Sequence, residues 1–439
     1  QVSEAEPQHT PLERRLDELG KWLAWAVIVI GAILAGIGIL AGREVSMAVE
    51  VAIALAVAAI PEGLPIVATI ALARGLWRMA QRNALITRLS AVETLGATSV
   101  ILTDKTGTLT ESRMVVTTAL MAGEEIELEN LVEQASSSLL DDMLKTAVLC
   151  NDAVLQKDGK AGQDALGSPT ENALLAAAAS RGLWREELLR EEPEVAEDPF
   201  DPDSKRMATM HEQGDRVHVA VKGAPDVNIH DCAVGSTATG AQALDEKGRR
   251  AWLERVEGLA ERGLRTLAVA HKSAEPGATD FDVGLTLQGV FGMEDPPRQG
   301  IGEAVERCRN AGIAVIMVTG DHANTARNVA TEIGVLDAAE GAPPPLAGSE
   351  VNEMLAANRH DELLRARVFS RVTPDQKLRL IELHQQQGHV VAMTGDGVND
   401  APALRKADIG VAMGIRGTAV AREAAEMVLQ DDDFSTIVA

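Results

Sequence analysis

Twenty consecutive residues, Trp22 to Ala41, are all apolar or glycine. A helix of that length, rising about 1.5 Å per residue, reaches about 30 Å, the thickness of bilayer hydrocarbon. Few other folds accept such a run. A surface helix needs a polar stripe, and core helices of soluble proteins seldom run this long without a charge. After a short break, Gly42-Arg43-Glu44-Val45-Ser46, a second apolar stretch runs from about Met47 to Ala73. The short loop makes the two an antiparallel hairpin. Arg14, Arg15 and Lys21 precede the first span, and Arg74, Arg78, Arg82 and Arg88 follow the second. The positive-inside tendency puts both flanks in the cytoplasm. A secretory signal fits poorly, because the run is too long and a second span follows. The alternative is a buried helical hairpin of a soluble protein.

The second span breaks at Ala58-Ala59-Ile60-Pro61-Glu62-Gly63-Leu64-Pro65. Pro61 cannot donate to the carbonyl of Val57, nor Pro65 to that of Pro61, so carbonyl oxygens are left without helical partners. Unwound backbone at membrane depth is tolerated only where it is buried in protein or lines a cavity. Glu62 adds a carboxylate there, at about 2.5–3.5 kcal/mol even on lenient insertion scales. Free carbonyls and a carboxylate are oxygen ligands suited to a hard cation. The competing reading is a kink with a protonated Glu62 against a neighbouring helix. Glu50, one turn from the outer loop, reads as an interfacial carboxylate.

Beyond residue 88 the composition changes. Residues 1–88 hold eight Lys/Arg and eight Asp/Glu, so the remainder carries the whole net charge of -24. With 2% aromatic residues and no tyrosine, this acidic body lacks both the charge and the stacking surface of a nucleic-acid binder. Near-zero mean hydropathy excludes a wholly membrane-buried chain. Three scattered cysteines exclude a disulfide scaffold, and 439 residues predict two or three domains.

That body reads as alternating strands and helices. Ser99-Val100-Ile101-Leu102 runs into Thr103-Asp104-Lys105-Thr106-Gly107-Thr108-Leu109-Thr110. Ala314 to Val318 ends in Thr319-Gly320-Asp321. Val390 to Met393 ends in Thr394-Gly395-Asp396-Gly397-Val398-Asn399-Asp400. Helical patterns fall at 300–311, 323–333 and 374–386. The grammar predicts a doubly wound parallel sheet, whose site lies at the carboxyl ends of the strands. Three strands each deliver an aspartate to that edge. Carboxylates so gathered repel one another unless a divalent cation neutralises them, and a phosphoryl group would complete the charge balance. No G-x-x-x-x-G-K-[ST] or G-x-G-x-x-G occurs, so phosphoryl chemistry here would run through a carboxylate nucleophile.

At these residues the chain resembles the P-type cation-transporting ATPases of the type II, calcium-pump-like group. The resemblance rests on Pro61-Glu62-Gly63-Leu64-Pro65, Asp104 to Thr110, Lys222-Gly223-Ala224-Pro225, Asp295-Pro296-Pro297-Arg298, Thr319-Gly320-Asp321 and Thr394 to Asp400. It implies a haloacid-dehalogenase-like α/β phosphorylation domain in two parts, 89–113 and 291–439. An inserted α+β nucleotide-binding domain, 114–290, would interrupt it, and a membrane hairpin, 1–88, would precede it. Asp104 would take the γ-phosphoryl of ATP. Mg²⁺ would bind Asp104, the Thr106 carbonyl and Asp396. Lys377 would neutralise the transferring group, and Thr319, Asp321, Asn399 and Asp400 would complete the shell. ATP contacts would come from Glu171, Phe200, Lys205, Lys222, Gly223 and Arg265. Phe200 read alone could equally be a core aromatic, and Pro202 departs from the family's arginine two residues after it. The transported cation, with Ca²⁺ expected over Na⁺, K⁺, Mn²⁺ or H⁺, would bind Val57, Ala58, Ile60 and Glu62.

The resemblance also implies partners. The lipid bilayer of the plasma membrane would hold the hairpin, with the ATP-handling domains cytoplasmic. No Thr-Gly-Glu actuator motif occurs, so the chain is expected to be a fragment that works with an actuator domain and further membrane helices. Two other functions compete. In phosphatases on the related fold the residue two after the nucleophile is a second aspartate; here it is Thr106, which argues against a membrane-anchored phosphatase. The other is a non-catalytic nucleotide-binding fragment.

Overall fold

The computed structural model describes residues 11–42, 44–58, 64–128, 138–155, 166–237, 239–337 and 343–438. The chain packs as two compact units. One comprises the described residues of 1–103, 306–316 and 374–439, the other those of 104–305 and 317–373.

The first unit opens with the 30-residue helix Pro11–Leu40. Within it Glu18–Leu40 is, among the described residues, the one stretch of helix long and apolar enough to cross a membrane. Trp22 and Trp25 are 70% and 68% exposed, and Ile28, Ile33 and Ile37 also face outward. A soluble core helix would bury such a surface. Helices Val45–Ala58 and Leu64–Ala80 follow. The Pro61-Glu62-Gly63 break between them, with Ile60, lies outside the described residues, and the side chains of Val57 and Ala58 are likewise not described.

The sheet of this unit runs Ala84–Ile86, Met427–Leu429, Ile409–Met413, Val391–Gly395, Val100–Thr103, and then meets the start of Ala314–Val318. Val391 to Thr394 pair in parallel with Val100 to Thr103, and Ile409 to Ala412 lie in parallel on the other side. Every residue of the three central strands is buried. Uninterrupted apolar strands of this kind belong to a parallel sheet covered on both faces. Its edge differs from a purely parallel sheet: Ala84–Ile86 pairs antiparallel with Met427–Leu429. This three-residue strand directly follows the apolar helices, where no strand-length pattern marks it in the sequence.

The second unit holds a nine-stranded sheet of mostly antiparallel strands. Along its path lie Glu124–Glu127, Val115–Met121, Leu285–Glu294, Arg265–Ala274, Arg216–Gly223, Arg206–Gln213 and Glu194–Asp201. Alternation assigns its faces. Ala220 joins a cluster with Leu144, Leu174, Met207 and Phe291, under helices Ser138–Leu149 and Pro169–Ser180. Its neighbours Val219 and Val221 join the opposite cluster with Ile229, Trp252 and Leu259, under Pro225–Asp231 and Glu246–Glu261. The end of Ala314–Val318 continues in this unit, parallel to Val368–Ser370. All three cysteines are free and buried.

Candidate active site

Thr103 and Thr394 end neighbouring parallel strands, and the Thr394 hydroxyl donates to the Thr103 hydroxyl at 2.7 Å. Thr394 pairs with Thr103 in that register; in sequence Asp104 follows Thr103 directly and Asp396 follows Thr394 by two residues. Gly395 permits the turn: a Cβ there would stand 2.6 Å from the Cβ of Asp400. Asp400, at the end of the Val398–Asp400 turn, folds back so that its Oδ2 accepts from the Gly397 N–H at 3.1 Å. Asp396 and Asp400 thus share the end of the Val391–Gly395 strand.

Lys377, on helix Pro374–Gln386, reaches this group. Its Nζ lies 2.7 Å from Asp400 Oδ1, with both side chains under a tenth exposed. Burial, and then the charge of Asp400, push the Asp396 carboxyl above the usual carboxylate range, against the opposing pull of Lys377. The donors are all hard oxygens, which suits Mg²⁺. Asn399 is exposed beside them.

The loop after Asp104 is held from a distance. Gly107 takes φ +76°, which glycine adopts without strain. Arg298 donates to the Gly107 carbonyl at 2.7 Å and to the Thr110 carbonyl at 3.0 Å. Thr110 Oγ1 donates to Asp295 Oδ2 at 2.6 Å, and Asp295 Oδ1 accepts from the Arg113 N–H. Thr106 is exposed within this clamp. Lys105 is buried and pairs with Asp321 Oδ2 at 2.8 Å. Thr319 is buried, its Oγ1 accepting from the Asp321 N–H. Sequence reasoning quoted the Asp295-Pro296-Pro297-Arg298 motif without a role and missed Lys105 as a partner of Asp321. Arg298 lies 191 residues from Gly107, and no local spacing reports such a contact.

The residues expected to contact ATP gather at one edge of the nine-stranded sheet. Asp201 pairs with Arg206, Arg206 with Gly223, and Gly223 with Ala268. Phe200, Lys205 and Lys222 each sit one residue before a member of that row, and Arg265 three before it. Phe200 is 59% exposed, so it is not a core aromatic. Lys222 is buried and lies 2.5 Å from Glu171 Oε1. Burial works against ionisation of Glu171, yet the Lys222 ammonium holds its carboxyl below the usual range. Ser168 caps the helix that carries Glu171: its Oγ accepts from the Glu171 N–H at 3.3 Å and donates to the Glu171 carboxylate at 3.0 Å. Gly223 is forced by close approach, since a Cβ would lie 2.6 Å from the Lys205 carbonyl oxygen. Lys205 itself is exposed, at φ +53°, beside Asp226.

Fold and site define an α/β protein with aspartates at the carboxyl end of a parallel sheet. Residues 139–300 match the family described as P-type ATPase, cytoplasmic domain N. The chain is 44% identical over 459 residues to the probable cation-transporting ATPase F of Mycobacterium tuberculosis, covering 100% of this chain and 50% of that protein. It is 40% identical to the cation-transporting ATPase pma1 of Synechocystis, with 98% and 50% covered. Identity to the calcium-transporting ATPase of Bacillus subtilis is 38%, again with 98% and 50% covered. Over its whole length the chain is similar to these cation-transporting ATPases. It spans about half the length of the curated relatives it matches.

Proposed function

We propose that the chain carries the phosphorylation and nucleotide-handling machinery of an ATP-driven cation pump, built on a haloacid-dehalogenase-like core. The observation that carries this reading is the Lys377–Asp400 pair at 2.7 Å beside Asp396, at the end of a strand paired in parallel with Val100–Thr103, the strand that leads into Asp104. Asp104 is the nucleophile. A carboxylate oxygen attacks the γ-phosphorus of ATP, the bond to the β,γ-bridging oxygen breaks, and ADP leaves as an acyl phosphate forms on the side chain. Asp104, Asp396 and the Thr106 carbonyl would hold Mg²⁺, which would neutralise charge on the phosphoryl oxygens. Lys377 and the backbone around Thr319 and Asp321 complete the compensation, with Asn399 and Asp400 shaping the rim. Thr106, standing where a phosphatase carries an acid–base aspartate, leaves the acyl phosphate without an adjacent proton relay, so it persists.

Exposed Phe200 stacks the adenine ring, while Lys205, the Glu171–Lys222 pair, Gly223 and Arg265 take the rest of the nucleotide. Residues 114–290 form this nucleotide domain within the phosphorylation domain of 89–113 and 291–439. The Glu18–Leu40 helix and the segment to Ala73 lie in the bilayer, with the catalytic body cytoplasmic. The names of several relatives favour Ca²⁺ as the cargo, bound at Glu62 and the carbonyls of Val57, Ala58 and Ile60. The remaining transport machinery comes from the actuator domain and further membrane helices. Terminally labelled ATP should give an acid-stable, hydroxylamine-sensitive phosphoenzyme that vanishes in Asp104→Asn. Label surviving that substitution would move the nucleophile elsewhere, and rapid turnover of small phosphate monoesters would indicate a phosphatase.

A further inference from the structure

At the other end of the Arg216–Gly223 strand, four residues before Lys222, His218 forms part of a buried polar group that phosphoryl transfer does not use. Its Nδ1 lies 3.0 Å from Glu192 Oε2. Glu192 is only 5% exposed, yet it is surrounded by cations and donors: Lys145 Nζ at 2.6 Å and Gln213 Nε2 at 2.7 Å reach its other oxygen. The Glu192 carboxylate at Nδ1 takes the ring proton there and leaves Nε2 as the nitrogen turned away from it. His218 is 8% exposed, and that Nε2 is buried with no protein partner.

A second acceptor faces the same space. Gln288 occupies the bulge of Leu285–Glu294, between the pairs Val269–Gly289 and Ala270–Leu287. Its Nε2 donates to the Asp142 carbonyl at 3.3 Å, which directs Oε1 the other way, and Oε1 is also buried without a protein partner. Both residues line a cavity of about 240 Å³, together with His271, Asp142 and Lys145. The His271 ring stands 5.7 Å from that of His218, centroid to centroid, with the planes 89° apart. Two imidazoles sharing a tetrahedral ion place their centroids about 5 to 6 Å apart, given metal–nitrogen bonds of about 2 Å. Orphaned acceptors require an electron-pair acceptor, and imidazole nitrogens select late first-row ions over Mg²⁺ or Ca²⁺. A carboxylate behind the ligating ring is the usual support of a metal-binding histidine.

The geometry points to a second metal site, specific for a late divalent ion such as Zn²⁺, formed by His218 Nε2 and His271 with Gln288 Oε1. Glu192 is a positioning residue for His218. The site shares no residue with the Asp104 cluster.

The test uses the full, tag-free chain in detergent with excess Mg²⁺ present to fill the carboxylate cluster. Added Co²⁺ should bind at one equivalent with the visible bands of a nitrogen-ligated tetrahedral ion, and Zn²⁺ should displace it. His218→Ala and His271→Ala should each abolish the bands, while Glu192→Gln should weaken binding about 10- to 100-fold. Zinc absorption spectroscopy of the wild type, which depends on no variant folding, should report nitrogen neighbours at about 2.0–2.1 Å. Absence of binding under excess Mg²⁺, an oxygen-only shell, or bands that survive in folded His218→Ala would overturn the assignment and leave the cavity to water.

Discussion

Replacing Lys377 with methionine removes a charge of similar length from a buried pair. Lys377 and Asp400 are 8% and 6% exposed at their side chains, and 2.7 Å apart. Taking away one partner of such a pair costs about 3–5 kcal/mol, because the other charge stays buried and uncompensated. Asp400 Oδ2 would keep the Gly397 N–H at 3.1 Å. Together, Asp396, Asp400 and Lys377 carry two formal negative charges and one positive; without the lysine the sum falls from -1 to -2. The cost should appear where these residues are anchored, in Val391–Gly395 and the helix Pro374–Gln386, and amide hydrogen exchange reads it there. At about 1.4 kcal/mol per factor of ten, exchange should accelerate by about two to three and a half powers of ten without Mg²⁺. Saturating Mg²⁺ should restore more protection in the variant than in wild type, since the more negative cluster gains more from a cation. Lys377→Met combined with Asp400→Asn should return exchange to within about tenfold of wild type. A change under about threefold, or a defect equally large in the double variant, would show that the pair is not an electrostatic anchor of the site.

Two further outcomes follow from particular contacts. Arg298→Ala removes the donors to the Gly107 and Thr110 carbonyls while touching none of the proposed nucleotide contacts. Phosphoenzyme formation should therefore slow about 10- to 100-fold with ATP binding unchanged, as expected of a lost positioning contact; an equal loss of ATP affinity would contradict the clamp. Cys150 and Cys232 are buried, and burial pushes their thiols up to about 11 and about 12 from an ordinary 9.0. Such groups hold their protons longer in the folded than in the unfolded state. The stability they contribute is intact below pH 9 and is lost as pH rises toward the folded values. Both should resist alkylation at pH 8.5 until denaturant is added, and rapid labelling of the native protein would refute the assignment.

How legible these features were depended on how local their causes are. Val100–Thr103 and Val391–Gly395 were readable because a strand covered on both faces is apolar throughout, and the Thr-Gly-Asp and Thr-Asp-Lys-Thr-Gly sequences mark where each one stops. The helix Pro374–Gln386 followed from its proline start and spacing. Ala84–Ile86 was missed because three residues give no period, and its place depends on Met427–Leu429, over 300 positions away. The exposure of Phe200 could not be read either. A lone aromatic has the same letter in a core or on a rim, and only the pairing of Asp201 with Arg206 puts it at the sheet's edge.

The same distinction separates the residues that do chemistry from those that aim them. Asp104, Asp396 and Asp400 stand out because several carboxylates near strand ends are costly without a cation, so the residue types themselves state a purpose. Arg298, Lys105 and Thr394 carry no such mark. An arginine donating to two carbonyls, a buried lysine on Asp321 and a threonine hydroxyl on Thr103 are ordinary side chains until the fold closes gaps of 191, 216 and 291 positions. Their effect is nonetheless on the chemistry. A nucleophile on a loop after a strand has the freedom of that loop, and attack on phosphorus requires the carboxylate in line with the leaving oxygen. Clamping the loop at Gly107 and Thr110 and pinning the two strand ends through their threonines remove that freedom before the nucleotide arrives. The reactive carboxylate is thus readable from composition and position, whereas its alignment is a property of long-range hydrogen bonds, and variants at those donors should separate rate from binding.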